Sequence, residues 1–242
     1  MQNQYTTQEP DLIELKAEAE KLEGKLTEYL TKKASLEKLI QDYNFKFYSQ
    51  VGDLMSEVNR LRLEKLRIES IKNSEKQQEF TDTKQEYDEF ENQYIKITSQ
   101  NILPLTEKEQ KLLKTYFRKA SLLCHPDSVS DEFKDEAARI FNELKEAYNS
   151  NDISKVSSIL EHLENNLQFP KKSDTVTDKD RLKLLIDHLK SEIQKLKQEV
   201  DLIKRSEIYQ HITSIGNWDI YIVHIKRQLE NEVNRLKSTI NP

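Results

Sequence analysis

The sequence predicts an all-α protein in which a small helical unit lies between an N-terminal and a C-terminal antiparallel coiled-coil hairpin. Only three glycines and five prolines occur among 242 residues, so few positions favour tight turns or interrupt helices. One residue in three is charged, and apolar residues recur three and four positions apart along much of the chain. This spacing places apolar side chains on one stripe of a helix and is typical of coiled coils.

The N-terminal segment, residues 1–100, carries two apolar stripes separated by a polar break. Around Asn73-Ser74 the first stripe is lost, which predicts a turn. We expect the second, largely aromatic stripe to form the return arm of a hairpin on the last part of the first helix. The first stripe comprises Leu15, Ala19, Leu22, Leu26, Tyr29, Leu36, Ile40, Tyr43, Phe47, Val51, Leu54, Val58, Leu61 and Ile68, and the second comprises Phe80, Thr83, Tyr87, Phe90, Tyr94 and Ile97.

The C-terminal segment, residues 181–242, repeats this pattern after a polar, proline-containing stretch at 166–180 that we interpret as a linker. Two stripes flank a predicted turn at residues 213–217, which favours a second antiparallel hairpin. The stripes comprise Leu182, Leu185, Leu189, Ile193, Leu196, Val200 and Ile203, then Trp218, Ile222, Ile225, Leu229, Val233, Leu236 and Ile240. The stripes could pack together within one chain or between two copies, so the sequence leaves both a monomer and a homodimer possible.

The middle segment, residues 101–165, predicts two helices joined by a short loop, with an extra helix after Asn151-Asp152. Pro104 ends the preceding region, and Thr106 with Glu109 three residues later is a capping-box pattern. The first helix, from about Glu107 to Cys124, is basic, and the second, from about Glu132 to Asn149, is mostly acidic. Each has one apolar face, so we expect the two to pack as a helical hairpin. The exposed basic residues of the first helix are Lys111, Lys114, Arg118 and Lys119.

The connecting loop begins with His125-Pro126-Asp127. A proline directly after a helix end fixes the direction of the chain, and we expect it to hold the histidine and the carboxylate exposed at the tip of the hairpin. An exposed aspartate next to a basic helix can accept a charge-assisted hydrogen bond from an arginine of a partner.

Residues 113–127, from Leu113 to Asp127, resemble the second helix and signature loop of J-domains, and residues 140–148, Ile140 to Tyr148, resemble their third helix. The resemblance covers about 45 residues. It implies stimulation of ATP hydrolysis by a DnaK-type chaperone. Lys111, Lys114, Arg118 and Lys119 would then face an acidic chaperone surface, Asp127 would engage an arginine of its ATPase unit, and His125 and Pro126 would shape the loop.

Two departures from the family pattern favour an alternative function. The short first helix of the family is not recognisable, although Ile102-Leu103-Pro104-Leu105 resembles a remnant, and Leu123 stands where many members have a basic residue. Under the alternative, the chain is a coiled-coil scaffold in which the J-like unit serves for docking or packing. In both cases the coiled coils would bind a client or another partner protein.

Composition argues against several other classes of function. A net charge of −5 disfavours nucleic acid and anionic membranes as partners, and no apolar run reaches the length of a membrane span. One cysteine, Cys124, excludes an internal disulfide and suggests a reducing, cytoplasmic compartment. Cys124 lies beside His125 and Asp127, but no further ligand or base stands at usable spacing, so we expect a buried apolar role rather than catalysis or metal binding. No glycine-rich phosphate loop is present, and we expect no enzyme activity, cofactor or metal.

Overall fold

The structure, a computed structural model, describes residues 10–165 and 169–240 and confirms the all-α prediction. Its helices are α1 (Pro10–Lys72), α2 (Gln77–Thr98), α3 (Glu107–Cys124), α4 (Lys134–Asn149), α5 (Ile153–Asn165), α6 (Lys172–Thr175), α7 (Lys179–Arg205), α8 (Glu207–Ser214) and α9 (Trp218–Ile240). In these two ranges, no helix has both the length and the apolar character required to cross a bilayer.

The chain forms two compact units that divide it differently from the predicted segments. Of the described residues, the first unit combines those up to residue 38 with those of 102–206, and the second combines residues 39–101 with those from 207 onwards. Helix α1 contributes to both units, because the boundary at residue 38 falls within it. The N-terminal segment is therefore shared between the two units rather than forming a unit of its own.

In the second unit, α2 returns antiparallel along the last part of α1, as the aromatic stripe predicts. The Tyr94 hydroxyl donates to Asp53 at 2.7 Å, and Gln41 donates at 2.8 Å to Gln100, two residues after α2, so the two segments pair in opposite order. The Tyr94 ring lies directly on Gly52, where a Cβ atom would collide with it. The predicted break is present, since the Asn73 side chain accepts from the Glu75 N–H and starts a 3-10 turn.

Helix α9 of the second unit packs on the same stretch of α1. Val58 and Leu61 are buried against Val233 and Leu236. Ion pairs join Lys46 to Asp219 at 2.7 Å and Arg62 to Glu232 at 3.3 Å. The partners advance in the same direction along both helices, so α9 runs parallel to α1.

In the first unit, α7 runs parallel to the beginning of α1. Ala19 and Leu26 of α1 form one buried cluster with Leu182, Leu189 and their neighbours on α7. Three ion pairs give the register of these helices: Asp11–Lys179 at 3.3 Å, Glu18–Lys190 at 2.8 Å and Lys33–Glu199 at 2.8 Å.

The partners of α7 and α9 correct the predicted C-terminal hairpin. Each of these helices buries part of its stripe against α1, within its own unit. The predicted turn exists between α8 and α9, but a further break at Ser206, where the backbone is extended, separates α7 from α8. A three-four spacing shows which face of a helix is apolar and does not show which helix covers it.

A three-helix core in the first unit supports the predicted hairpin. Helices α3 and α4 pack together with α5, the expected extra helix, around a common cluster of buried side chains. The rings of Phe117 and Tyr148 stack with their centroids 4.1 Å apart, and the Tyr148 hydroxyl lies 3.5 Å from the Ser35 hydroxyl of α1. The remaining buried members are Leu113, Ala120, Cys124, Leu144, Ala147, Val156, Leu160 and Leu163.

Replacing Leu189 with alanine is expected to lower the free energy of unfolding by about 2–5 kcal/mol, because this leucine is fully buried in the contact of α7 with α1. Chemical denaturation followed by circular dichroism measures the change. The matched control is Leu184→Ala on the same helix: Leu184 is 70% exposed, and we expect a change of at most about 0.5 kcal/mol. Equal effects of the two substitutions would contradict the packing of α7 on α1.

Candidate functional site

The candidate site begins at the N-terminus of α3, where the predicted capping box is present. The Thr106 hydroxyl accepts from the Glu109 N–H at 3.3 Å, and the Glu109 carboxylate accepts from the Thr106 N–H at 2.7 Å. The bond from the Thr106 backbone holds the pKa of Glu109 below its usual value. This cap fixes the start of α3 and, with it, the rotation of its basic face.

The four basic residues singled out in the sequence are all exposed on α3. They are Lys111, Lys114, Arg118 and Lys119. Within the part of the chain that the structure describes, none of the four forms an ion pair with an acidic side chain, whereas many other lysines and arginines do. Their charges are therefore available to a partner.

His125 lies at the end of α3 and is buried, which corrects the expectation of an exposed histidine at the hairpin tip. It is only 7% exposed and its ring packs edge-on against Phe141 of α4, with centroids 4.9 Å apart. Its Nδ1 accepts from the Asp127 N–H at 3.2 Å, which favours the neutral tautomer protonated at Nε2. Sequence alone did not place Phe141, sixteen positions later, against this ring.

The pKa of His125 is lowered from 6.5 to about 4, mainly by burial. The positive charge of Lys145 contributes to this lowering, while the carboxylates of Asp127 and Glu192 oppose it. The imidazole is therefore neutral and accepts a hydrogen bond within the loop. This arrangement suits a residue that shapes the loop rather than one that makes a charged contact with a partner.

The His-Pro-Asp loop, residues 125–130, is a tight turn that leaves Asp127 half-buried. The His125 carbonyl accepts from the N–H groups of Ser128 at 2.9 Å and Val129 at 3.2 Å. Pro126 is also half-buried, whereas Ser128 and Val129 point into the protein. Asp127 keeps a partly accessible carboxylate, so it is the member of the motif best placed to meet a partner.

A short segment that we call the strap, residues 169–175, packs on this loop and corrects the linker predicted at 166–180. The Ser130 N–H donates to the Pro170 carbonyl at 2.9 Å, and the Lys172 N–H donates to the Ser128 carbonyl at 2.8 Å. The Phe169 side chain joins the three-helix core. Residues 166–168 of the predicted linker lie outside the described residues.

The strap is fastened to α1 by a buried carboxylate. Glu23, 1% exposed, accepts from the Ser173 N–H at 3.2 Å and from the Ser173 hydroxyl at 2.9 Å. Burial raises the pKa of Glu23, although both bonds from Ser173 oppose that effect. Glu23 and Ser173 are 150 positions apart, and no sequence pattern pointed to either of them.

Helix α7 brings two charged residues close to the loop. Lys195 donates to Glu192 at 2.6 Å, and this bond is the main cause of the raised pKa of Lys195 and of the lowered pKa of Glu192. Asp127 adds to the shift of Lys195, and His125 adds to that of Glu192. The loop therefore lies within electrostatic range of α7, a proximity that the sequence did not indicate.

The segment before α3 is not helical. The Leu103 N–H donates to the Ser150 carbonyl at 3.1 Å, and the Asn151 side chain donates to the Leu103 carbonyl at 2.7 Å. Asn151 has a positive φ of 63°, a conformation that asparagine tolerates better than most residues. These bonds fix residues 102–105 against the α4–α5 turn, with Leu105 in contact with the core.

Cys124 is a fully buried member of the three-helix core, as expected. Burial raises the pKa of its thiol to about 12, so the reactive thiolate is disfavoured. Within residues 10–165 and 169–240, no group of three histidine, cysteine, aspartate or glutamate side chains is arranged to hold a metal ion.

Comparison with known proteins adds no relative. No family model, no curated protein and no solved structure matches the chain significantly.

The low pKa of His125 makes stability depend on pH. Between pH 6.5 and about 4 the unfolded chain binds a proton at His125 that the folded chain does not. The stabilisation is therefore complete above pH 6.5 and is lost as the pH falls towards 4, with a slope of up to about 1.4 kcal/mol per pH unit. We expect the stability difference between the native chain and His125→Gln to shrink over this interval, measured by urea unfolding at several pH values. A constant difference would contradict a neutral, buried His125.

Ser173→Ala is expected to loosen the strap, because it leaves a buried Glu23 oxygen without its donor at a cost of about 1–3 kcal/mol. Hydrogen exchange of the Ser130 and Lys172 amides should then become about tenfold faster or more. The matched control is Thr175→Ala, since Thr175 is exposed and, among the described residues, its hydroxyl bonds only to the nearby Lys172 carbonyl. Unchanged exchange at both amides would show that the bond to Glu23 does not hold the strap.

Proposed function

We propose that the chain is a J-domain-type co-chaperone that engages a DnaK-type chaperone and stimulates its ATP hydrolysis. The observation that carries this proposal is the arrangement of α3 and its loop. An exposed cationic face without ion-pair partners among the described residues leads to a fixed turn in which His125 is buried and Asp127 is partly accessible.

The residues divide into two roles under this proposal. Lys111, Lys114, Arg118 and Lys119 attract and orient an acidic chaperone surface. Asp127 accepts a charge-assisted hydrogen bond from a chaperone arginine, and His125 holds the Asp127 backbone in place. The apolar surface left on the long helices is then available to a client or other partner protein.

A scaffold function is the second candidate, and two observations favour it. Residues 99–106 form no helix, so the chain lacks a counterpart of the first J-domain helix at that position. Lys195 and Glu192 of α7 also lie within electrostatic range of the loop, so the loop already has charged neighbours within the chain. On this proposal the J-like unit serves to pack the long helices together, and no chaperone contact is needed.

Asp127→Asn is expected to lower the stimulated rate of chaperone ATP hydrolysis by about ten- to a hundredfold, because a charge-assisted hydrogen bond contributes about 1.5–3 kcal/mol. Single-turnover hydrolysis by the cognate chaperone, titrated with the full chain, measures the effect. Asp135→Asn is the matched control, since Asp135 is exposed on the first turn of α4 and is not a member of the His-Pro-Asp loop.

The same assay separates the two functions. If the native chain gives no stimulation at any concentration, the co-chaperone proposal is wrong. The scaffold proposal instead expects Asp127→Asn to leave partner binding unchanged, while a charge placed at Leu54 or Leu196 disrupts it.

A further inference from the structure

Helix α2 of the second unit is covered on one side only. None of its 22 residues, all of which the structure describes, is buried, whereas α9 of the same unit buries three residues. Phe90 and Tyr94 stack with their centroids 6.1 Å apart and lie beside Tyr48 of α1, yet both rings remain half-buried. An aromatic stripe that one helix covers only in part leaves apolar surface for a second helix.

A row of four carboxylates runs along α2 beside this aromatic stripe. Their spacings of three, four and three place all four on one exposed face of the helix. Among the described residues, none of the four forms an ion pair with a lysine or an arginine. An acidic row next to an apolar stripe is complementary to a helix that has an apolar stripe and a basic flank. The four residues are Glu79, Asp82, Glu86 and Glu89.

The first turns of α9, in the same unit, carry an exposed surface of that kind. Ile220 and Val223 are 70% and 65% exposed, and Arg227 follows four positions later on the same face. From Ile220 to Gln228 there are two bases, Lys226 and Arg227, and no acid. Neither base forms an ion pair among the described residues, whereas four other charged side chains of α9 do. The buried residues of α9 lie on the opposite side of the helix, so its contact with α1 does not need this surface.

We propose that two copies of the chain associate through these two surfaces, with the start of α9 of one copy on α2 of the other. Ile220 and Val223 pack on the half-covered aromatic stripe, and Lys226 and Arg227 face the acidic row. Because one chain carries both surfaces within the same unit, a two-fold axis produces the contact twice. A second copy is favoured over another protein, since the chain itself supplies both the apolar contact and the complementary charge. This inference goes beyond the proposed function and does not rest on it.

Charge exchange tests the contact, with the association of the full chain measured by sedimentation equilibrium. Reversing the basic pair, Lys226→Glu with Arg227→Glu, is expected to weaken dimerisation at least about tenfold, because like charges then meet across the interface. Reversing part of the acidic row, Glu86→Lys with Glu89→Lys, should weaken it to a similar extent for the same reason. The four substitutions together restore opposite charges, and we expect the dissociation constant to return to within about threefold of the native value.

The matched control is Lys204→Glu with Arg205→Glu. This exposed basic pair on the last turn of α7 lies in the first unit, outside the proposed contact, and its reversal changes the net charge by the same amount. We expect dimerisation to stay within about twofold of the native value. All the substituted side chains are exposed, and thermal melting followed by circular dichroism confirms that each variant is folded.

Three outcomes would overturn the proposal. A native chain that is monomeric at every concentration has no such contact, and the α2 surface is then left to a different protein. A dimer that neither reversal weakens more than the α7 control does must associate through another surface. If each reversal weakens the dimer but their combination does not restore it, the two surfaces do not contact each other.

Discussion

The apolar stripe of α1 is the constraint on which the rest of the structure depends. A helix of 63 residues cannot cover its own stripe, and most helical stability in proteins comes from packing such a face. Different stretches of the stripe are covered by different helices: α7 covers Ala19 and Leu26, and α9 covers Val58 and Leu61. Each fully buried leucine or valine contributes about 1.5–3 kcal/mol, so both units depend on α1 for their cores.

The geometry of the His-Pro-Asp loop depends on the same helix. Glu23 lies on α1 beside the stripe that α7 covers, and it binds the strap through Ser173. The strap in turn pairs with the backbone of Ser128 and Ser130. A loop that would otherwise be held only by α3 and α4 is thus connected by hydrogen bonds to α1. The half-buried position of Asp127 therefore reflects the packing of the whole first unit.

Local sequence patterns predict the helices of the candidate site, but they do not predict which distant segments pack together. The sequence predicted α3 with both of its ends, because Thr106 and Glu109 cap it and Pro126 follows it. It also predicted α5, whose first turn is capped by Asp152. The partners of α7 and α9 were not predictable from spacing alone. The polar residues of the strap predict a linker, and only the three-dimensional structure brings the buried Ser173 to Glu23, 150 positions away.

Under the proposed function, a partner bound at Asp127 would be linked energetically to the packing of α1. Lys195 is already bonded to Glu192, so an arginine from a partner can approach Asp127 without breaking that ion pair. Binding that requires the observed turn also requires the strap, because the bonds to Ser128 and Ser130 fix the turn. If a partner binds the His-Pro-Asp loop only when the strap holds it, the bond between the strap and Glu23 strengthens binding. By thermodynamic linkage, the bound partner then stabilises that bond by the same free energy. Partner binding at the His-Pro-Asp loop and the packing of the strap on α1 are then coupled.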